Sequence, residues 1–223
     1  MKRLSLLIAS LLLAHSANAA TVSFTYGFPV SKSPAEISET GSLGLFDSNL
    51  GTLNAATLTL FGGATFTFSG TNTSTAQNSL NATLTALVDI SWSSSLAALS
   101  TYVNDPMQMT ATSGSQTYAS GQTLSFGPFQ ESSTLVDNLS GILGNLQQAG
   151  GGSFNMTCES GTGIAIQGGG GNISTSQSTD VGCGAEIVYT YTAGNQQVPE
   201  PGSLALLSAA LFALGASRKR RAG

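Results

Sequence analysis

The chain has 223 residues and an acidic body: residues 20–198 hold one lysine against ten acids, a net charge of −9, while the other six cations lie at the two ends. Such a body cannot neutralise a phosphate backbone, so nucleic acid is a poor partner. The single histidine, His15, lies among the first nineteen residues, which leaves the body without Ser-His-acid or Cys-His nucleophiles and without imidazole ligands for zinc. We therefore expect no catalytic residue, no metal site and no cofactor.

Residues 1–19 have the three parts of a secretory signal peptide. Two cations open the chain, residues 4–14 are an apolar run, and an Ala-Asn-Ala triplet at 17–19 offers small residues for cleavage ahead of Ala20. The apolar run is short for a bilayer span, which favours a removed signal over an N-terminal membrane anchor. The protein is therefore predicted to leave the cytoplasm.

Residues 20–197 contain no obvious linker and are predicted to form one domain. Their dominant pattern is the alternation of apolar and polar residues that is typical of half-buried strands, with the longest case between Leu84 and Trp92. Shorter runs of the same kind lie at 22–28, 58–60, 64–68, 124–126, 154–156, 164–166 and 187–191. Eight or so such strands predict an all-β fold, an antiparallel β-sandwich or jelly roll.

Three later segments interrupt this pattern. Leucine and isoleucine side chains between Leu135 and Leu146 recur at helical spacing, which predicts one short helix. The glycine runs at 150–152 and 168–171 predict flexible loops.

The stretch that begins at Asp47 resembles part of a calcium-binding loop. Position twelve of that loop is Leu58 where a calcium loop has glutamate, so the interpretation that we prefer is a side-chain-capped turn between strands.

Aromatic and acidic residues leave two other functions open. Trp92, Tyr189 and Tyr191 could stack on sugars, although their places in alternating strands favour packing in the core. Two carboxylates about 5 to 9 Å apart could hydrolyse a glycosidic bond, although the sequence spacing identifies no such pair.

Cys158 and Cys183 are the two cysteines of the chain. In an oxidising compartment two cysteines allow only one intramolecular connectivity, so we predict a disulfide between them.

A stiff tag opens the C-terminal tail: Val198, Pro199, Glu200 and Pro201. Each proline fixes its own φ and pushes the residue before it towards an extended conformation, so the tag is predicted to be a rigid, exposed peptide.

An apolar run and a basic cluster follow the tag. Residues 202–217 are sixteen uncharged residues, about 24 Å long as a helix, against a hydrocarbon core of about 30 Å, so they would span a membrane only marginally. Arg218, Lys219, Arg220 and Arg221 come next and should stay on the cytoplasmic side. Together they form a stop-transfer arrangement that leaves the body outside.

The order of tag, short apolar helix and basic cluster in residues 198–223 resembles the PEP-CTERM sorting signal of Gram-negative bacteria. The resemblance implies that an exosortase, a transpeptidase-like membrane enzyme, recognises the tag and processes the protein in organisms that make exopolysaccharide. In the body, "FDSNLGTLNAATLTL" (46–60), "LSGILG" and "EIVYTYT" resemble the choice-of-anchor E family. That likeness implies a surface domain with no assigned catalysis.

These patterns together predict a non-catalytic protein that is held transiently in the inner membrane, sorted by an exosortase to the cell surface or the medium, and associated with exopolysaccharide or biofilm. One alternative is a carbohydrate-binding module, which would need an exposed aromatic platform around Trp92. The other is a carboxylate-only glycosidase, which would need two acids facing each other across a cleft.

Overall fold

The computed structural model describes residues 19–27, 31–76 and 78–194. Within these ranges the chain forms ten β-strands and four short 3₁₀ helices, so the all-β prediction is confirmed. The predicted signal helix and the predicted C-terminal transmembrane helix both lie outside the described residues. Inside them, no helix has the length and apolar character needed to cross a membrane.

The strands form two sheets of five strands each. Sheet I consists of β1 (Ala19–Tyr26), β2 (Ser33–Pro34), β4 (Gly51–Asn72), β7 (Thr123–Asn138) and β10 (Ile173–Ala193). Sheet II consists of β3 (Ser38–Asp47), β5 (Leu80–Ser94), β6 (Met107–Tyr118), β8 (Gln147–Gln148) and β9 (Gly152–Gly168). The order is β1-β10-β4-β7 in sheet I, with β2 also beside β10, and β6-β5-β9-β3-β8 in sheet II. All pairings are antiparallel except the short one between β3 and β8.

The core lies between the inner faces of the two sheets. On β5 the alternation predicted from the sequence is confirmed, since Leu84, Val88 and Ile90 are fully buried and Trp92 is 6% exposed. At one side of the sandwich, β1 packs on β3, where Gly41 leaves room for an aromatic ring: a Cβ there would overlap the ring of Tyr26. The β5 side chains share the inner face because the pleat of a strand directs alternate residues to opposite faces.

Two pairs of the predicted strands are in fact parts of longer strands, although the ten strands observed in the described residues outnumber the eight or so predicted. The runs at 58–60 and 64–68 belong to one strand, β4, and those at 154–156 and 164–166 belong to β9. Gly62, which lies between the first two runs, does not break β4 because the strand pairs there with Cys183 on one side and Ser133 on the other. Pairing on both edges outweighs the weak strand propensity of glycine.

The prediction of one short helix between Leu135 and Leu146 is wrong for its first part. Leu135 lies on β7 and pairs with Leu60 of β4, and only Ser140–Asn145 form a 3₁₀ helix. This connection crosses from sheet I to sheet II, and it is held at both ends by buried leucines whose backbones bond to other strands: Leu139 N–H donates to Ala56 O at 2.9 Å, and Leu146 O accepts from Phe46 N–H at 2.9 Å. The leucine spacing therefore reflects a strand followed by a crossover.

The two glycine runs lie at opposite ends of β9. Gly150 and Gly151 have positive φ in the turn before this strand, and Gly169–Gly171 form a 3₁₀ helix between β9 and β10. The outer residues of the two runs, Gly152 and Gly168, belong to β9 itself.

Candidate functional site

The disulfide predicted from the sequence is present and joins the two sheets. Cys158 lies on β9 of sheet II and Cys183 on β10 of sheet I, with a Cα–Cα distance of 6.7 Å. Both side chains are buried, at 0% and 1% exposure. Because β9 leads into β10 through Gly169–Gly171, the bond fixes these two strands face to face at a second point. No free cysteine remains.

The junction with the C-terminal tail is anchored to the sandwich up to Gly194. Ala193 pairs with Gly51 of β4, and Gly194 N–H donates to Leu50 O at 2.9 Å. Val198 follows four residues later and Gly202 eight residues later. Since an extended chain advances at most about 3.6 Å per residue, the tag begins within about 14 Å of Gly194 and the apolar run within about 29 Å.

The N-terminal end of the domain leaves the sandwich at the same place. Ala19, the first residue of β1, pairs with Thr192, next to the last residue of β10. The predicted cleavage point ahead of Ala20 therefore lies at the same end of sheet I as Gly194, after which the tag follows in the chain. This arrangement depends on pairing between residues far apart in the chain, and no sequence motif indicates it.

The tag itself lies outside the described residues, as does the basic cluster. These are the predicted sorting residues Val198, Pro199, Glu200 and Pro201 and the predicted stop-transfer residues Arg218, Lys219, Arg220 and Arg221. The fold determines only the point from which these residues begin, which is shortly after the anchored end of β10.

Core packing, the preferred interpretation of the three aromatic residues, is confirmed for Trp92 and Tyr189. Trp92 is 6% exposed and Tyr189 is fully buried, with its hydroxyl donating to Gly44 O at 2.9 Å. Burial raises the pKa of the Tyr189 phenol well above its ordinary value. Tyr191 is half-buried and its ring lies 5.0 Å from that of Phe46, centroid to centroid. Trp92 therefore does not provide the exposed platform that the sugar-binding alternative required.

The turn at Asp47 is the side-chain-capped turn that the sequence favoured. One carboxylate oxygen, Asp47 Oδ1, accepts from Asn49 N–H at 2.9 Å and from Gly150 N–H at 2.8 Å. It thereby ties the turn before β4 to the turn before β9. Across the residues that the structure describes, no group of three acid, histidine or cysteine side chains could hold a metal ion.

The charge of one acid, Asp105, acts on another, Asp137, through space. Burial of Asp137, near the end of β7, and the nearby charge of Asp105 both raise the pKa of the Asp137 carboxyl. Asp105 lies on the exposed connection between β5 and β6. A separate open depression of about 320 Å³ is lined by residues that include Lys32, Phe61 and Glu131, so it contains neither acid of this pair.

Lys32, the single lysine of the body, bonds within the fold. Its ammonium donates to Ala64 O and to Thr65 Oγ1, both at 3.0 Å. These bonds hold the segment before β2 against β4 of the same sheet. No motif in the sequence indicates a role for Lys32. Its only distinguishing feature in the sequence is that it is the single cation of an acidic body.

Comparison with known proteins identifies the tail. Residues 197–221 match the family model described as the PEP-CTERM protein-sorting motif. The tail of this chain therefore carries that motif, as the resemblance predicted. The match does not extend into the body, whose likeness to the choice-of-anchor E family stays a prediction. No curated protein matches the chain.

Two solved structures with some likeness to the chain are viral. One is a particle of infectious bursal disease virus, at 10% identity and a TM-score of 0.21, covering 91% of this chain and 47% of that one. Another is a mutant VP2 protein of the same virus in T=1 particles, at 11% identity and a TM-score of 0.21, covering 91% and 48%. The chain spans about half the length of these viral chains, and at such scores the likeness supports no conclusion.

Proposed function

We propose that this chain is an exported, non-catalytic protein of the cell surface or extracellular matrix, which an exosortase recognises and processes at its PEP-CTERM tag. The observation that carries the proposal is the match of residues 197–221 to this motif directly after a domain whose last strand is anchored up to Gly194. Function in this protein then depends on a short signal attached to a stable body.

The sequence of events follows from the order of the segments. The signal peptide starts export, and the sixteen uncharged residues at 202–217 stop it, because the four cations after them stay on the cytoplasmic side. The body folds outside. Its last strand ends so near the apolar run that the folded domain lies beside the membrane, within about 29 Å of where the run begins. The enzyme thus meets the rigid tag between a folded domain and the bilayer.

Replacement of the tag tests this function. We expect Pro199→Ala, Glu200→Ala and Pro201→Ala together to leave the protein in the inner membrane, as measured by fractionation and immunoblotting. The matched control changes Asn195 and Gln196, which precede the matched residues 197–221, to alanine, and its processing should be normal. Release of the tag variant at the wild-type rate would contradict the proposal.

The length of residues 195–197, which connect the last strand to the tag, provides a second test of how the enzyme reaches the tag. Insertion of about ten Gly and Ser residues after Gln197 should preserve processing, because a flexible spacer only increases access. Deletion of residues 195–197 should slow it, because the tag would then begin directly after the residue that bonds to Leu50. Equal processing of the two variants would show that the folded body does not limit access of the enzyme.

Association with exopolysaccharide is the second part of the proposal. The outer face of sheet I near Gly169–Gly171 carries an uncharged patch of hydroxyl side chains in cross-strand rows, and hydroxyls both donate and accept hydrogen bonds to sugars. The rows are Ser174, Thr71 and Thr123; Ser176, Ser69 and Ser125; and Ser178 with Thr67. Co-sedimentation with purified exopolysaccharide should decrease when Thr67, Ser69 and Thr71 are changed to alanine. Undiminished binding would exclude this face as the contact.

A further inference from the structure

The second edge of β10 is covered along only part of its length. β4 pairs with one edge throughout, whereas on the other edge β1 pairs with residues 185–192 and β2 with residues 180–181. Ala35 N–H donates to Thr179 O at 2.8 Å, and within the described part of the chain no strand pairs with this edge at residues 173–178. Since backbone groups alternate in direction along a strand, Thr175 and Gln177 direct theirs, as Thr179 does, to this open edge.

The second edge of β9 is open in the same way. β3 pairs with residues 152–159, and Ser160 N–H then donates to Ile37 O at 3.0 Å. No strand among the described ranges pairs with this edge at residues 161–168. Ile166 shows the consequence: it pairs with the fully buried Leu84 of β5 and shares its inner face, yet it is 43% exposed. Ile164 on the same face is half-buried.

The two open edges form one feature, which we call the notch: residues 161–168 of β9 and residues 173–178 of β10. They lie on the same side of the sandwich because β1 and β3, which cover the other halves of β10 and β9, pack against each other. They lie in the same half because Gly169–Gly171 connect them. The notch is one strand deep and lies at the end of the domain away from Gly194.

The notch lacks two common protections of sheet edges, charged residues and proline. Exposed edge strands are normally guarded by charges, especially lysine, or by proline, because their unpaired backbone groups can template another strand. Residues 161–168 and 173–178 contain no charged residue and no proline. The body as a whole has a net charge of −9, so two copies repel each other over much of their surface. An uncharged edge with free backbone groups is where this repulsion is weakest.

We propose that the notch is a self-association surface, in which two copies of this chain pair edge to edge about a twofold axis along the sheet normal. Under this symmetry β10 pairs with β10 of the second copy and β9 with its β9, both antiparallel, so that each sheet continues across the dimer. In each copy β1 and β3 project beyond the notch by one strand. In the dimer these strands lie beyond the Gly169–Gly171 end of the other copy, so they do not obstruct the pairing. A stepped edge is therefore complementary to itself.

A pair of lysine substitutions in one cross-strand row tests the dimer. Ser176 of β10 and Ser125 of β7 both pair with Ser69, and both are exposed on the outer face of sheet I, one beside the notch and one at the opposite edge. Sedimentation velocity over a dilution series should show a reversible dimer for the wild-type exported protein, extracted in mild detergent if it stays with membranes. Ser176→Lys should raise the dissociation constant by up to about fivefold, because like charges meet across the axis, whereas Ser125→Lys should not change it.

A proline at the notch provides the second variant. Thr175→Pro removes an N–H that points to the open edge, so the fold, checked by circular dichroism, should persist while the dimer is lost. A monomeric wild type, equal effects of the two lysines, or a proline variant that still dimerises would each overturn the proposal. A monomer whose amides at 175 and 177 are protected from hydrogen exchange would also overturn it, and would mean that another segment of the same chain fills the notch.

Discussion

The residues of the sandwich and those of the tail have different roles: the first maintain the fold, and the second form a linear sorting signal. In the body, several side chains that could serve chemistry are used by the fold: Lys32 bonds to β4, the hydroxyl of Tyr189 bonds to Gly44, and the two cysteines bond to each other. The tail has no comparable long alternating run, and its two prolines, sixteen uncharged residues and four cations form a signal that the family match covers. Substitutions in the body should therefore change stability without changing sorting.

The largest effect within the body should come from the disulfide. Cys158→Ala with Cys183→Ala opens a bridge with a sequence separation of 25 residues. Loss of that constraint on the unfolded chain should lower the free energy of unfolding by about 3.5 kcal/mol, measured by urea denaturation. The fraction of surviving protein that is processed at the tag should not change.

The thiols of the exported protein provide the check on this bond. Denatured without reductant, the wild-type chain should take up no alkylating reagent, and treatment with reductant should make both cysteines reactive. Full alkylation before reduction would contradict the disulfide.

A smaller effect is expected from Gly62, where the two sheets come close. A Cβ at this position would lie 2.9 Å from Ile90 Cδ1 and would overlap Met107, and both of these side chains are buried. Gly62→Ala should therefore destabilise the fold by about 1–3 kcal/mol. The matched control is Gly161→Ala on β9, where a Cβ meets nothing within 4 Å, and it should be neutral or stabilising by about 0.4–1 kcal/mol. Equal melting temperatures for the two variants would show that the core is looser than described.

The smallest effect should come from Asp137. Its pKa is raised in the fold by burial and by the charge of Asp105, so the folded state binds the proton more tightly than the unfolded state. The contribution of this group to stability is therefore most favourable at acidic pH and decreases as the pH rises from its unfolded pKa through its raised folded pKa. Because water screens the charges of these two acids, Asp137→Asn should remove that decrease and stabilise the protein at pH 7 by no more than about 0.5 kcal/mol. The difference in stability between Asp137→Asn and wild type should be more favourable to the variant at pH 7 than at pH 3. The opposite order would contradict a raised pKa for Asp137.

Local patterns in the sequence predicted much of the body. The alternation from Leu84 to Trp92 indicated both the strand and its buried face, because the pleat has a period of two. The cysteine pairing followed from the number of cysteines in an exported chain. The capped turn at Asp47 followed from side-chain chemistry that acts within two residues.

Features that depend on distant residues could not be predicted in this way. Gly62 looks like a strand break until Cys183 and Ser133 are known to flank it. The leucines between Leu135 and Leu146 match a helix by spacing alone, whereas pairing with Leu60 makes the first of them part of a strand. The shared location of the two chain ends depends on the register between β1 and β10, and the notch on where that register stops. The tag was predicted from its motif alone, without any contribution from the fold.

The tail is proposed to be a temporary membrane stop that an enzyme removes after recognising the tag. Intact mass spectrometry of the wild-type protein, recovered from the surface or the medium of a host with the matching exosortase, provides the test. Removal of the tail should leave a mature chain that lacks the apolar run and the basic cluster, residues 202–221, together with the last two residues. A mass that includes residues 202–223 would contradict it and would identify the tail as a permanent anchor.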